Sequence, residues 1–300
     1  MPTIAALYHF TRFDDPAILR GPLLDLCLGA GVKGSLLLAR EGLNGTIAGP
    51  REGVDAVLVH LRALPGCAGL EWKESHAESM PFGRIKVKLK REIVTMGLPD
   101  VDPLAAVGQH VSAAEWNDLI SQPDVAVIDT RNDYEVAIGT FQGAVDPGTR
   151  SFRAFPAWWQ ANRERFGNKR IAMFCTGGIR CEKSTNYLLS QGVSEVYHLK
   201  GGILKYLEEV PVAESLWQGE CYVFDGRVSV GHGLVPGQLS SCGACRRPVT
   251  AGGRVHPDYE EGVACAACVN EYSETDRARF RERQKQMVLA AQRGERHLGG

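Results

Sequence analysis

Apolar positions along this chain follow two periods, and the switches between them mark out its elements. Ile4 to Tyr8 has strand character, and Pro16 to Ala30 carries Ile18, Leu19, Leu23, Leu24 and Leu26 at helical spacing. Gly34 to Ala39 and Gly45 to Gly49 follow as two strands, with Asn44-Gly45 predicting the hairpin turn that joins them. Gly53 to Leu64 predicts a second helix through Val54, Val57, Leu58 and Leu61, and a closing strand is expected near Ile85 to Leu89. The order β-α-β-β-α-β over residues 1–95 predicts a ferredoxin-like or acylphosphatase-like sandwich. In its last strand the alternation puts Arg84, Lys86, Lys88 and Lys90 on one face and Ile85, Val87 and Leu89 on the other. Such a row is either a contact for a phosphate backbone or an edge strand kept from aggregating by its lysines.

Residues 96–111, with Pro99 and Pro103 and little periodicity, predict a linker. From 112 to 212 strands and helices alternate. Ser112-Ala113-Ala114-Glu115 can cap a short helix reaching Ile120, and Val125 to Asp129 is a continuous apolar run ending on a carboxylate. Strands are expected at Ile171 to Phe174 and Glu195 to Leu199, and helices at Pro156 to Arg165 and Ser184 to Ser190. This is the pattern of a parallel sheet covered on both faces, with ligands expected at the carboxyl ends of the strands.

At one such end stands Cys175, followed by Thr176, Gly177, Gly178, Ile179, Arg180 and Cys181. Paired glycines let backbone N–H groups converge, and a following helix start adds positive potential, so the loop suits an anion and favours thiolate over thiol. The spacing Cys-x4-Arg is one residue tighter than the Cys-x5-Arg of tyrosine phosphatases, and leaves room for a terminal sulfur or another small group. The loop resembles the active loop of the rhodanese family, in which the cysteine carries a persulfide. The wider stretch from Phe174 to Ser184, with His198-Leu199-Lys200-Gly201-Gly202-Ile203, resembles the rhodanese-related tRNA uridine hydroxylases. The hairpin Glu41 to Ile47 resembles that of these hydroxylases, while Asp129-Thr130-Arg131 and Tyr134-Glu135 resemble the Asp-x-Arg and following Glu of rhodaneses, from which Thr140 departs by standing at the usual His position.

The resemblance implies a rhodanese-like central domain and an oxidoreductase that converts the wobble uridine of tRNA to 5-hydroxyuridine with molecular oxygen. Cys175 is then the reactive residue, and Arg84, Lys86, Lys88 and Lys90 become candidate tRNA contacts. Asp129 and Arg131 either brace neighbouring loops or add positive charge beside the thiol, and Cys181 is either a resolving thiol or a small packed residue. His198 is expected as a satisfied polar residue of the last strand. No 2-His-1-carboxylate iron set and no flavin fingerprint stands out in the sequence. Two rivals share these features: a sulfurtransferase passing persulfide sulfur to a small acceptor, and a zinc-stabilised RNA-binding module with an inert rhodanese fold.

The region 213–300 is Cys-rich. Cys242-x2-Cys245 and Cys265-x2-Cys268, nineteen residues apart, have the spacing of a zinc-ribbon-like structural site, against two redox disulfides or three cysteines plus His256. The tail from Arg277 to Gly300 holds seven Lys/Arg against two Glu, as a solvated basic helix or a second tRNA contact. Composition adds little to this. A net charge of −1 supplies no global attraction to nucleic acid, so binding must come from local patches. An odd count of nine cysteines, no signal-peptide-like N-terminus and no run of membrane-spanning length make a cytoplasmic protein the expectation.

Overall fold

The structure, a computed structural model, describes residues 1–294; residues 295–300, the end of the predicted basic tail, lie outside the described residues. Contacts divide the chain into two compact units, residues 1–226 with 230–235, and residues 227–229 with everything from Pro236.

The first unit begins with the strands and helices β1 (Thr3–Phe10), α1 (Ala17–Gly29), β2 (Lys33–Ala39), β3 (Gly42–Gly49), α2 (Arg51–Arg62), β4 (Glu71–His76) and β5 (Ile85–Leu89). They form a five-stranded sheet in the order β4-β1-β3-β2-β5, antiparallel except where β5 runs parallel to β2. Alternation decides the faces. Ala5, Leu7, Leu36, Leu38, Leu43, Ile47 and Val87 pack with Leu23, Cys27, Val54, Val57, Leu58 and Leu61 of the helices. The intervening residues, Tyr8, Asn44, Thr46 and Ser35 among them, point away from α1 and α2.

Two sequence expectations are corrected here. The β2–β3 turn is Arg40-Glu41, because Ala39 pairs Gly42, while Asn44-Gly45 lies inside β3. There Asn44 pairs with Tyr8 and Leu37 and its side chain donates to the Ile93 carbonyl. The strand that closes the β-α-β-β-α-β order is β4, not Ile85–Leu89, which adds a further parallel strand at the opposite edge. The Glu71-Trp72-Lys73-Glu74-Ser75-His76 stretch pairs on one side only, so it needs no apolar run to form.

The chain then forms β6 (Gln109–Val111), α3 (Ala113–Ile120), β7 (Val125–Asp129), α4 (Asp133–Val136), β8 (Gly139–Phe141), α5 (Phe155–Asn162), β9 (Arg170–Phe174), α6 (Ile179–Ser190), β10 (Val196–Leu199) and α7 (Gly202–Glu209). The parallel sheet runs β6-β10-β9-β7. Its edge strand β6 occupies the end of the span expected as linker. Val127, Ala172 and Phe174 face Trp116 and Ile203, whereas Ile128, Ile171 and Met173 face Phe155, Trp159 and Leu188. Both faces are thus covered, as the uninterrupted apolar strands require. Burial of a side chain such as Phe174 contributes about 1.5–3 kcal/mol. α3 starts on the predicted capping box of Ser112 and Glu115. α6 begins at Ile179, five residues before the expected Ser184, so Arg180 and Cys181 belong to its first turn.

In the second unit, Cys242, Cys245, Cys265 and Cys268 gather with Val249, Ala264 and Tyr259 in a small core, and the helix Glu274–Gln292 follows. Among the described residues no helix is long and apolar enough to cross a membrane.

Candidate active site

Cys175 follows the last residue of β9, at the carboxyl end of the central parallel strand. Gly178 adopts φ +103°, a conformation only glycine holds without strain, and this turns its N–H onto Cys175 Sγ at 3.1 Å. The turn is fixed from behind by α7: Ile203 and Leu204 donate their amides to the carbonyls of Cys175 and Thr176, both at 3.0 Å. A Cβ on Gly202 would stand 2.5 Å from the Cys175 carbonyl oxygen and 2.7 Å from the Gly178 nitrogen, so that contact admits no side chain.

Burial of Cys175 would by itself push its thiol up. The Cys181 thiol, the Arg180 charge and the loop amides outweigh that and hold it well below the ordinary thiol range. Cys181 moves the other way, raised by burial and by its neighbour, and its sulfur also lies 3.7 Å from Thr130 Oγ1. Of the two thiols, Cys175 is the one that ionises.

Arg180 makes a bidentate pair with Glu135, at 2.7 and 2.8 Å, and reaches Thr176 Oγ1 at 3.2 Å. Glu135 is fully buried; desolvation would raise its pKa, and Arg180 keeps it low. Asp129 and Arg131 form a second buried pair at 2.6 Å, in which Arg131 also donates to the Glu135 carbonyl and Thr140 donates to Asp129 at 2.9 Å. These bonds brace the loops around α4, and none reaches the Cys175 loop directly. The sequence-expected loop residues are thus brought together, with Asp129 and Arg131 one layer behind them.

Several neighbours were not anticipated, because they come from other elements. Lys73 on β4 donates to the Gly177 carbonyl at 2.7 Å and lies over the Tyr8 ring. Its burial lowers its pKa to about 8. Tyr8 on β1 donates to Glu182 at 3.0 Å, and its hydroxyl is 2.8 Å from where a Gly178 Cβ would sit. Lys183 is wholly buried, with Nζ 2.8 Å from both Glu41 and Glu92. His198 departs from expectation. It is 1% exposed, its ring lies against that of His110 at a 42° tilt, and neither ring nitrogen has a hydrogen-bond partner of acceptable geometry among the described residues. Burial pushes its pKa down to about 4 and keeps it neutral, against smaller upward pulls from Glu182 and the Gly108 backbone. A hint existed in its burial-prone position within an apolar strand, but no spacing rule links it to His110 or Glu182.

Arg84, Lys86, Lys88 and Lys90 are all exposed along the β5 edge. The register sets Lys86 in one cross-sheet row with Ser35, Thr46, Ala6 and Lys73. The basic edge and the lysine that touches the Cys175 loop therefore share one face of the sheet.

In the second unit the cysteine sulfurs lie 3.8 Å apart for Cys242–Cys268 and Cys245–Cys265, and 3.6 Å for Cys265–Cys268. Four sulfurs at about 2.3 Å from a tetrahedral centre stand about 3.8 Å from one another, so the cluster fits a metal and is too open for disulfides. His256 lies outside this group and accepts from the Asp258 amide. On the basic helix, Arg277, Arg279 and Arg281 are paired with Glu274, Asp276 and Glu260.

Residues 2–93 match the family profile described as the UPF0176 acylphosphatase like domain, and residues 112–209 match the rhodanese-like domain. The chain is 70% identical over 298 residues to the tRNA uridine(34) hydroxylase of Ruegeria pomeroyi, with 99% of each chain covered. It is 67% identical over 299 residues to that of Jannaschia sp., covering 100% of this chain and 99% of the other. The Gluconobacter oxydans enzyme of the same name is 60% identical over 300 residues, with 99% and 96% covered.

Proposed function

We infer, from a chain that belongs to the tRNA uridine(34) hydroxylase family, that this protein hydroxylates the wobble uridine of tRNA to 5-hydroxyuridine. Cys175 is the reactive residue in this account, and the observation that carries it is a buried sulfur at a strand end that accepts the Gly178 amide, in surroundings that lower its pKa.

A thiolate can add to C6 of uracil. The sulfur–carbon bond forms as the C5–C6 π pair moves onto C5 and the C4 carbonyl, and C5 becomes electron-rich. Oxygen then enters at C5; loss of the C5 proton expels the thiolate and restores the double bond. Incorporating one atom of molecular oxygen and reducing the other to water requires two electrons and two protons from an external reductant. Lys73, at the rim of the loop, is placed to favour negative charge developing on the uracil.

For tRNA, the Arg84, Lys86, Lys88 and Lys90 row supplies the local positive charge that a net −1 chain lacks overall. Zinc is the metal assigned to the four-cysteine cluster, where it would hold the second unit's fold without entering the chemistry. A tRNA substrate supports a cytoplasmic location for the protein. Nucleoside mass spectrometry of tRNA from cells with and without the gene tests the function. Loss of 5-hydroxyuridine supports it, and loss of a thiolated nucleoside instead would favour sulfur transfer.

A further inference from the structure

His110 on β6, Glu182 on α6 and His198 on β10 come from three elements, yet their ligand atoms all lie within 4.8 Å of one another. We propose that these three residues form a mononuclear site for a divalent first-row transition metal, with Fe(II) the ion best matched to the donors. Two imidazoles and one carboxylate, leaving open positions, is the donor set of non-haem iron centres.

Four observations carry the assignment. His198 is a buried imidazole with both nitrogens unpartnered among the described residues, an arrangement that ordinary core packing does not leave in place. The His110 and His198 rings have centroids 4.1 Å apart at 42°. Imidazoles bound side by side to one ion at about 2.1 Å would have centroids roughly 4–5 Å apart. Glu182 accepts from Tyr8 and contacts His110 through Oε1 alone, and Oε2 makes no hydrogen bond among the described residues. A ligand carboxylate oriented by a neighbouring hydroxyl is the usual second layer of a metal site. Finally, the His110 side chain is 42% exposed, which gives an ion a way in. The proposal concerns binding and stands independently of the reaction assigned to Cys175.

The test is an anaerobic titration of the purified full-length protein with Co(II), followed by absorbance. Cobalt among thiolates gives intense near-ultraviolet charge-transfer bands, whereas a histidine–carboxylate site gives only weak visible d–d bands. The proposal predicts weak bands that saturate and that Fe(II) suppresses in competition. His110→Phe and Glu182→Gln should each weaken their formation by roughly tenfold or more, and Cys242→Ser should leave them intact. His110 is half-exposed, so its variant folds without a core cavity, and circular dichroism checks both proteins. Wild-type protein showing thiolate-type bands alone would overturn the site. So would weak bands that persist in folded His110→Phe and Glu182→Gln, or that vanish with Cys242→Ser.

Discussion

The Tyr8 hydroxyl donates to the Glu182 carboxylate at 3.0 Å, linking the first strand of the N-terminal sheet to the helix behind the thiolate loop. Burial, and then Glu182 itself, raises the tyrosine pKa, so the group stays a donor throughout the physiological range. Tyr8→Phe should cost roughly 1.5 kcal/mol, as expected for a hydrogen bond to a charged acceptor. It should also slow tRNA hydroxylation, because the same hydroxyl backs Gly178. Urea unfolding and nucleoside analysis measure the two effects; an unchanged midpoint would mean that the bond contributes nothing.

Lys183 makes the second such link, with its buried ammonium between Glu41 and Glu92. Lys183→Met leaves two carboxylates facing each other without a counter-charge. A loss of roughly 3–5 kcal/mol is expected, in the range for breaking one side of a buried ion pair. Glu41→Gln, which leaves Glu92 in place, should cost less. Equal losses for the two variants would contradict a shared ion pair.

The two α/β layers and the loop at the end of β9 were legible because local signals agree there: apolar runs, the Ser112 capping box, and glycines beside a cysteine. Asn44-Gly45 misled because a hairpin dipeptide also fits inside a strand once the ladder to Leu37 and Tyr8 is in place. β4 escaped notice because an edge strand needs no apolar alternation. Tyr8, Lys73 and Glu182 meet at the loop from positions as far as 174 residues apart. Their convergence is a property of the packed fold and leaves no spacing in the chain. Asp129 and Arg131 were visible as a pair, but only burial shows that they brace α4.

The neighbouring Cys181 thiol is among the groups that lower the Cys175 pKa against its burial. The Cys175 pKa lies below the ordinary value, so its acid limb in a rate profile falls on the acid side of free thiols. Removing the thiol in Cys181→Ala raises that pKa. Activity at neutral pH should fall several-fold and recover as pH is increased. A pH–rate profile coincident with wild type would leave Cys181 a packing residue only.

Charge on the β5 edge should govern tRNA affinity. Lys86→Glu with Lys88→Glu is expected to weaken binding and flatten the dependence of log K on log salt by about two to four ions. Filter binding at several salt concentrations measures the slope. If it is unchanged, the RNA lies on another surface.

The central claim is that Cys175 performs the chemistry, and Cys175→Ala tests it most directly. The loop geometry rests on Gly178, Ile203, Leu204 and the Arg180–Glu135 pair, so the variant should fold with an unfolding midpoint near that of wild type. Introduced into a strain lacking the gene, it should yield tRNA with no 5-hydroxyuridine by nucleoside mass spectrometry, while the wild-type gene restores the modification. Normal 5-hydroxyuridine from the folded Cys175→Ala protein would contradict the account.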